Sequence, residues 1–340
     1  MLLNSSTLAL QNVFAQNLAK MLSPDELGAF ILVLANSMQN LQLQKALAPK
    51  LSTIFSQLEP KYDIKCAPDD HSVFCALKSS GISQHLSPNA VWTTRFVGED
   101  NLWQCSYNPF RSLRPARASK ATFTGLQQPF NEENFHFDKA FLRTEILSEE
   151  TFEGTHLQVM YHKFPFISYH LLIVIDAAQH RSQHMDQQIH QITWELASHI
   201  EKNIPGFGIA YNSLGAGASV NHLHIHSFLN NVPLAIEKPI WRHNGGLRQY
   251  PLDTTRCKSM QQTWQLIDQL HQKNNPYNLL YRNKVCYVIK RKPQGSIKAP
   301  LWMPTPGWYE ACGGFNLENR ALFEKLSSDE IESGLSLFRN

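Results

Sequence analysis

The sequence predicts an α+β fold in which a sheet packs against helices. Apolar residues recur at helical spacing over the first 60 residues or so, and again at about 183–203 and 259–273. Apolar runs typical of strands occupy 152–162, 168–176, 208–211 and a segment starting at Val220. A hairpin is predicted at 277–289, around Arg282-Asn283-Lys284, and a last helix near 328–338.

The composition excludes several classes of protein. Of 340 residues, 43% are hydrophobic and 17% charged, as expected for a folded globular chain. The net charge is +3 without a basic stripe, so no nucleic-acid partner is expected, and no run of about 18 apolar residues predicts a membrane span. The N-terminus shows no secretion signal, and six cysteines lie scattered. We therefore expect a cytoplasmic protein with reduced thiols.

Residues 1–85 are predicted to form a helical accessory region. Ser23-Pro24-Asp25-Glu26 is a helix start signal, in which Ser23 caps the helix, Pro24 takes the first position and Glu26 completes a capping box. A further helical segment follows at about 41–58, and the pattern from 63 to 81 is mixed. We expect these helices to be able to dock a protein partner.

The most informative motif lies in residues 211–228. His222, His224 and His226 alternate with two aliphatic residues. On a helix this spacing would turn the middle ring away from its neighbours, whereas on a strand all three rings share one face. The sequence therefore predicts three imidazoles along one surface of a strand.

Three aligned imidazoles suit zinc ligation or nucleophilic attack on phosphorus, and a cluster without a role is the third interpretation. The preceding loop favours phosphorus chemistry. Asn212 and Ser219 are donors, and Gly215 and Gly217 let backbone amides approach an anion. A zinc site needs no such loop, and no nearby carboxylate would orient a zinc-bound histidine.

Three arginines form a second candidate for phosphate binding. Arg111, Arg114 and Arg117 lie within a proline-containing loop at 108–117. Guanidinium groups on a rigid loop can hold a phosphate bidentately. A solvated basic loop is the equally weighted alternative.

The run Asn-Ser-Leu-Gly-Ala-Gly-Ala-Ser-Val-Asn-His-Leu-His-Ile-His at 212–226 resembles the histidine-triad superfamily, and within it the GDP-hexose phosphorylase branch, which is related to galactose-1-phosphate uridylyltransferase. Shorter pieces agree in order at 108–111, 134–139, 165–173, 277–280 and 310–313, so the likeness covers about 92–335. The resemblance implies a histidine-triad-like antiparallel sheet with packed helices in 92–235, and a second, degenerate half in 236–340.

The resemblance also implies a reaction. His224 would be the nucleophile, His222 and His226 would contact the phosphate oxygens, and the loop from Asn212 to Ser219, with Gly215 and Gly217, would bind phosphate. The implied substrates are a nucleoside diphosphate hexose, such as GDP-glucose, and inorganic phosphate, with no metal or cofactor. A nucleotide hydrolase, a non-catalytic nucleotide-binding protein and a zinc protein remain alternatives.

Overall fold

The computed structural model describes residues 2–23, 26–64, 68–113 and 123–340. Helices and mainly antiparallel strands alternate along it, which confirms the predicted α+β class. The helices are α1 (Thr7–Met21), α2 (Leu27–Ser37), α3 (Leu41–Ile64), α4 (Pro68–Ser79), α5 (Ile82–His85), α6 (Gln187–Ile200), α7 (Met260–Gln272), α8 (Trp308–Ala311), α9 (Arg320–Lys325) and α10 (Ser328–Ser336). The strands are β1 (Thr93–Val97), β2 (Trp103–Tyr107), β3 (Ile146–Phe152), β4 (Thr155–Tyr161), β5 (Leu171–Ile175), β6 (Phe207–Asn212), β7 (His224–Leu229), β8 (Asp253–Cys257), β9 (Tyr277–Arg282), β10 (Val285–Lys290) and β11 (Gly314–Leu317).

Eight strands form the main sheet, in the order β3-β4-β5-β7-β6-β9-β10-β8. Every neighbouring pair in it is antiparallel, and β6 pairs with β9, so strands from before and after residue 235 share one sheet. The predicted hairpin is confirmed as β9–β10. Its turn residues Asn283 and Lys284 have φ of 54° and 57°, as a type I′ turn requires. A smaller sheet has the order β1-β2-β11.

The N-terminal helices pack directly on the main sheet. Phe14 of α1 meets Tyr161 of β4 edge to face, with ring centroids 4.9 Å apart, and the Tyr161 hydroxyl donates to the Phe14 carbonyl at 2.6 Å. The Asn36 amide of α2 donates to the His162 carbonyl at 3.1 Å. Side chains of α1–α4 share one buried cluster with α6, α7 and one face of the sheet. The opposite face of the sheet carries the candidate site.

One local prediction is wrong, and one strand was not predicted. The second helix begins at Leu27 with Glu26 at its N-cap and no side-chain cap, so Ser23 does not cap it; Pro24 and Asp25 lie outside the described residues. The mixed stretch at 63–81, within the region predicted to be helical, contains α4. The unpredicted strand is β8, an edge strand whose partly exposed polar side chains hide the strand pattern. None of the helices in the described ranges is both long and apolar enough to cross a membrane.

Candidate active site

A cavity of about 430 Å³ lies on the face of the main sheet that carries His224 and His226. This volume is in the range of sites for small organic ligands. Six of the eight predicted site residues line it: Arg111, Asn212, Gly217, Ser219, His224 and His226. His222 and Gly215 are not among its lining residues.

His224 has the geometry of a nucleophile. Its Nδ1 lies 2.7 Å from the His222 carbonyl oxygen, and because that oxygen only accepts, Nδ1 carries the proton. The Nε2 lone pair then remains available, and no described residue is hydrogen-bonded to it. Burial lowers the pKa of His224 from 6.5 to about 4. The imidazole is therefore neutral at pH 7, the form that can attack phosphorus.

Gln183 fixes the backbone of His224. Its side-chain oxygen accepts from the His224 amide at 2.9 Å, and its side-chain nitrogen donates to the carbonyls of His224 and Asn212, both at 3.0 Å. The side chain is only 1% exposed. One amide group thus ties the start of β7 to the end of β6.

Asn212 links the second half of the chain to His226. Its oxygen accepts from the backbone amide of Trp308 and from the Asn278 side chain, both at 2.7 Å, which identifies this atom as oxygen. The Asn212 nitrogen therefore faces the His226 Nε2 at 3.4 Å as a donor. His226 in its neutral form then carries its proton on Nδ1, which lies 3.0 Å from the His170 Nε2. These contacts orient His226 toward the cavity.

His222 occupies a different position from the one predicted. β7 begins at His224, so His222 precedes the strand, and the prediction of a strand from Val220 is wrong. Its Nδ1 accepts from the Phe137 amide and its Nε2 donates to the Ala177 carbonyl, both at 3.0 Å. Both ring nitrogens are thus hydrogen-bonded to the backbone, so neither points to a phosphate oxygen as the prediction required. Its own carbonyl, however, accepts from the His224 Nδ1 and so orients that ring.

The two loop glycines have different surroundings. Gly217 has φ +97°, and a Cβ there would lie 2.6 Å from the Gly307 Cα, so only glycine fits this cavity wall. Gly215 has φ +74° and packs on the Phe123 ring outside the cavity. Ser219 is exposed on the cavity rim.

Arg111 is the one member of the predicted arginine cluster within the described residues. Its guanidinium lies over the Phe166 ring at 5.1 Å from the centroid and donates to the Phe164 carbonyl at 3.2 Å. Arg114 and Arg117 lie outside the described residues. A stacked guanidinium in the cavity wall places a positive charge where it can attract an anion.

His162, His170 and His226 bring ring nitrogens within 4.8 Å of one another, which raises the zinc alternative again. However, His162 and His170 stack face to face, with centroids 4.0 Å apart and planes 10° apart. Imidazole lone pairs lie in the ring plane, so one ion bound to both would lie far out of at least one plane. This arrangement suits a hydrogen-bonded stack better than a tetrahedral metal centre.

Sequence reasoning missed Gln183, Asn278 and Trp308, which position the predicted residues. Their contacts span 29 to 96 residues of sequence. Gln183 looks like an ordinary residue near a helix start, and Trp308 contributes through its backbone amide. A local sequence pattern does not reveal contacts between residues so far apart. Asn278 is the exception, because a polar residue between Tyr277 and Leu279 in a buried strand indicates a specific hydrogen-bonding role.

Comparisons with known proteins agree with this architecture. Residues 92–228 match the family model of the GDPGP1-like N-terminal domain. GDP-D-glucose phosphorylase 1 of Macaca fascicularis is 31% identical over 134 residues, which are 36% of this chain and 33% of that protein. The match thus spans about a third of the length of that relative.

Solved structures share the fold over a longer stretch. Yeast Ap4A phosphorylase Apa2 matches with a TM-score of 0.51 and 13% identity, over 81% of this chain and 95% of that chain. Its complex with AMP gives the same TM-score and identity, over 79% of this chain. The resemblance to the GDP-hexose phosphorylase branch is supported for one segment: residues 92–228 are similar to the GDPGP1-like N-terminal domain.

Proposed function

We propose that the chain is a nucleotidyltransferase that cleaves a nucleoside diphosphate hexose, such as GDP-glucose, with inorganic phosphate through a nucleotidyl-His224 intermediate. The observation that carries the proposal is the nucleophile itself. His224 is buried, neutral and bound through Nδ1, while Nε2 is available at the wall of a cavity. The similarity of residues 92–228 to a GDP-D-glucose phosphorylase supports the choice of substrate.

The reaction has two displacement steps. In the first, the Nε2 lone pair forms a bond to the α-phosphorus, and the bond from that phosphorus to the bridging oxygen breaks, so hexose 1-phosphate leaves. In the second, an oxygen of inorganic phosphate attacks the same phosphorus, the P–N bond breaks, and the electron pair returns to Nε2. The products are a nucleoside diphosphate and hexose 1-phosphate. Splitting the transfer into two displacements lets the neutral imidazole attack first and then serve as the leaving group.

The other cavity residues stabilise charge on the transferred phosphoryl group. Backbone amides at Gly217 and the Ser219 hydroxyl are donors at the cavity wall. The Arg111 guanidinium adds a positive charge there. His226 also lines the cavity, where its hydrogen bonds with Asn212 and His170 hold the ring in place. Hydrolysis would use the same residues with water as the acceptor, so the acceptor must be measured.

The test is a product assay with GDP-glucose, with and without inorganic phosphate. We expect GDP, and glucose 1-phosphate beyond one equivalent per enzyme, to appear only with phosphate. His224→Asn retains an amide donor near the Nδ1 position but has no nucleophile, so its turnover should fall to background. His156→Ala, on the exposed face of β4, is the matched control and should keep full turnover. GMP formed without phosphate would favour the hydrolase, and turnover by folded His224→Asn would overturn the mechanism.

A further inference from the structure

The cavity wall contains a charged pair. Glu145 ends the short helical segment before β3, and Lys163 follows β4. Both line the cavity, where the Glu145 side chain is 13% exposed and that of Lys163 39% exposed. Aromatic and aliphatic side chains line the same cavity: Phe135, Phe137, Phe141, Leu142, Met160 and Leu172.

The pair is close but not tightly joined. The Lys163 Nζ lies 3.7 Å from a Glu145 carboxylate oxygen, beyond ordinary hydrogen-bond length. Gly28 of α2 makes room for the ammonium group, because a Cβ at this position would lie 3.1 Å from Nζ. Both charged groups therefore have hydrogen-bonding capacity left for a ligand in the cavity.

Burying the Glu145 carboxylate is unfavourable in the empty cavity. Burial raises the pKa of Glu145, and the nearby Lys163 opposes that rise only in part. A carboxylate in such surroundings is best satisfied by N–H donors from a ligand. A flat ring that carries two adjacent N–H donors and packs on the aromatic wall would supply them.

We propose that Glu145 and Lys163 recognise the Watson–Crick edge of guanine, an inference that rests on the proposed function. The guanine N1–H and 2-amino group would donate to the two Glu145 oxygens, and Lys163 would donate to O6. Adenine has an acceptor at N1 and a donor at position 6. Its N1 would face the Glu145 carboxylate, acceptor against acceptor, and its 6-amino group would face the Lys163 ammonium, donor against donor. Hypoxanthine keeps N1–H and O6 but lacks the 2-amino group.

The N-terminal helices belong to this base site. Leu27, Gly28 and Ile31 of α2 line the same cavity, together with Asp70 and Val73 of α4. These residues lie outside the segment 92–228 that matches the family model. The proposal thus gives the N-terminal region a direct role in ligand selection, in addition to any partner it docks.

Calorimetric titration of GMP, IMP and AMP tests the proposal without requiring turnover. Wild type should bind GMP tighter than IMP by roughly 10- to 100-fold, the effect of one charge-assisted hydrogen bond, and AMP should bind most weakly. Glu145→Gln should remove the preference for GMP over IMP, because the glutamine NH₂ and the guanine 2-amino group are both donors and cannot form a hydrogen bond with each other. Lys163→Met should weaken GMP and IMP alike. Neither change should weaken AMP.

The controls separate this inference from the proposed function. Glu149→Gln alters an exposed carboxylate on β3 and should leave all three affinities unchanged. Thermal melting checks that each variant is folded, and Lys163→Met provides the test if Glu145→Gln does not fold. Wild type that binds GMP no better than AMP, or Glu145→Gln that keeps its preference over IMP, would overturn the inference even if phosphorolysis is observed. Base preference without phosphorolysis would instead count against the proposed function alone.

Discussion

Replacing Gln183 with leucine should reduce catalysis much more than binding. Leucine has nearly the volume of glutamine, so the change leaves little empty space. It removes three buried hydrogen bonds, one to the His224 amide and two to the carbonyls of His224 and Asn212. An unsatisfied buried group costs roughly 1–3 kcal/mol, so leaving three groups unpaired should lower the free energy of unfolding by roughly 3–9 kcal/mol. A typical domain has about 5–15 kcal/mol, so the folded fraction of the variant is measured before its kinetics.

The catalytic effect follows from the position of the nucleophile. Gln183 is not among the residues that line the cavity, so substrate contacts should survive its loss. His224, however, would lose the groups that hold its backbone, and a displacement of about 1 Å can cost on the order of 100-fold in rate. We therefore expect kcat to fall about 100-fold while KM changes little.

Urea unfolding and steady-state kinetics on the same preparations measure both effects. Gln188→Leu, on the exposed face of α6, is the control and should change neither quantity. A purely structural role would lower the folded fraction without changing kcat per folded molecule. If folded Gln183→Leu turns over within threefold of wild type, or if its defect lies only in KM, the positioning argument fails.

Three further predictions concern stability and loop geometry. The pKa of His224 falls from 6.5 to about 4 on folding, so the unfolded chain binds more protons in that window, and the contribution of His224 to stability should fall by roughly 3 kcal/mol between pH 6.5 and pH 4. Because His222 and His271 titrate in the same window, this contribution is measured as the difference between wild type and His224→Asn in urea unfolding against pH. Glu237→Gln breaks a buried 2.9 Å ion pair with Arg282 and should cost about 3–5 kcal/mol in the same assay; a cost below about 1 kcal/mol would contradict this. Gly217→Ala should abolish GMP binding because its Cβ meets the Gly307 backbone, whereas Gly154→Ala, also at positive φ but with open space around it, should lose only modest stability. Equal effects of the two alanines on GMP binding would refute the steric argument.

The alternating histidine pattern predicted much of the site because it depends on local geometry. A strand repeats every two residues, and Leu223 and Ile225 do enter the core. The pattern could not predict where β7 begins. His222 is held by Phe137 and Ala177, which lie 85 and 45 residues away, and these contacts take it out of the strand series.

The N-terminal region shows the same limit in another way. Helical periodicity predicted its helices, but it does not say what their buried faces contact. The capping motif at Ser23 is locally favourable, yet the helix begins at Leu27, whose buried side chain joins the core shared with the sheet. The contribution of α2 and α4 to the cavity likewise depends on packing between segments distant in sequence.

The covalent intermediate is the central claim, and intact-protein mass spectrometry with peptide mapping tests it most directly. The chain is mixed with GDP-glucose without phosphate, quenched rapidly in base to preserve a P–N bond, and weighed. We predict a mass gain of one GMP on the peptide that contains His224, absent from His224→Asn and removed by added phosphate with release of GDP. Turnover without this adduct at any quench time, or an adduct on another residue, would contradict the account.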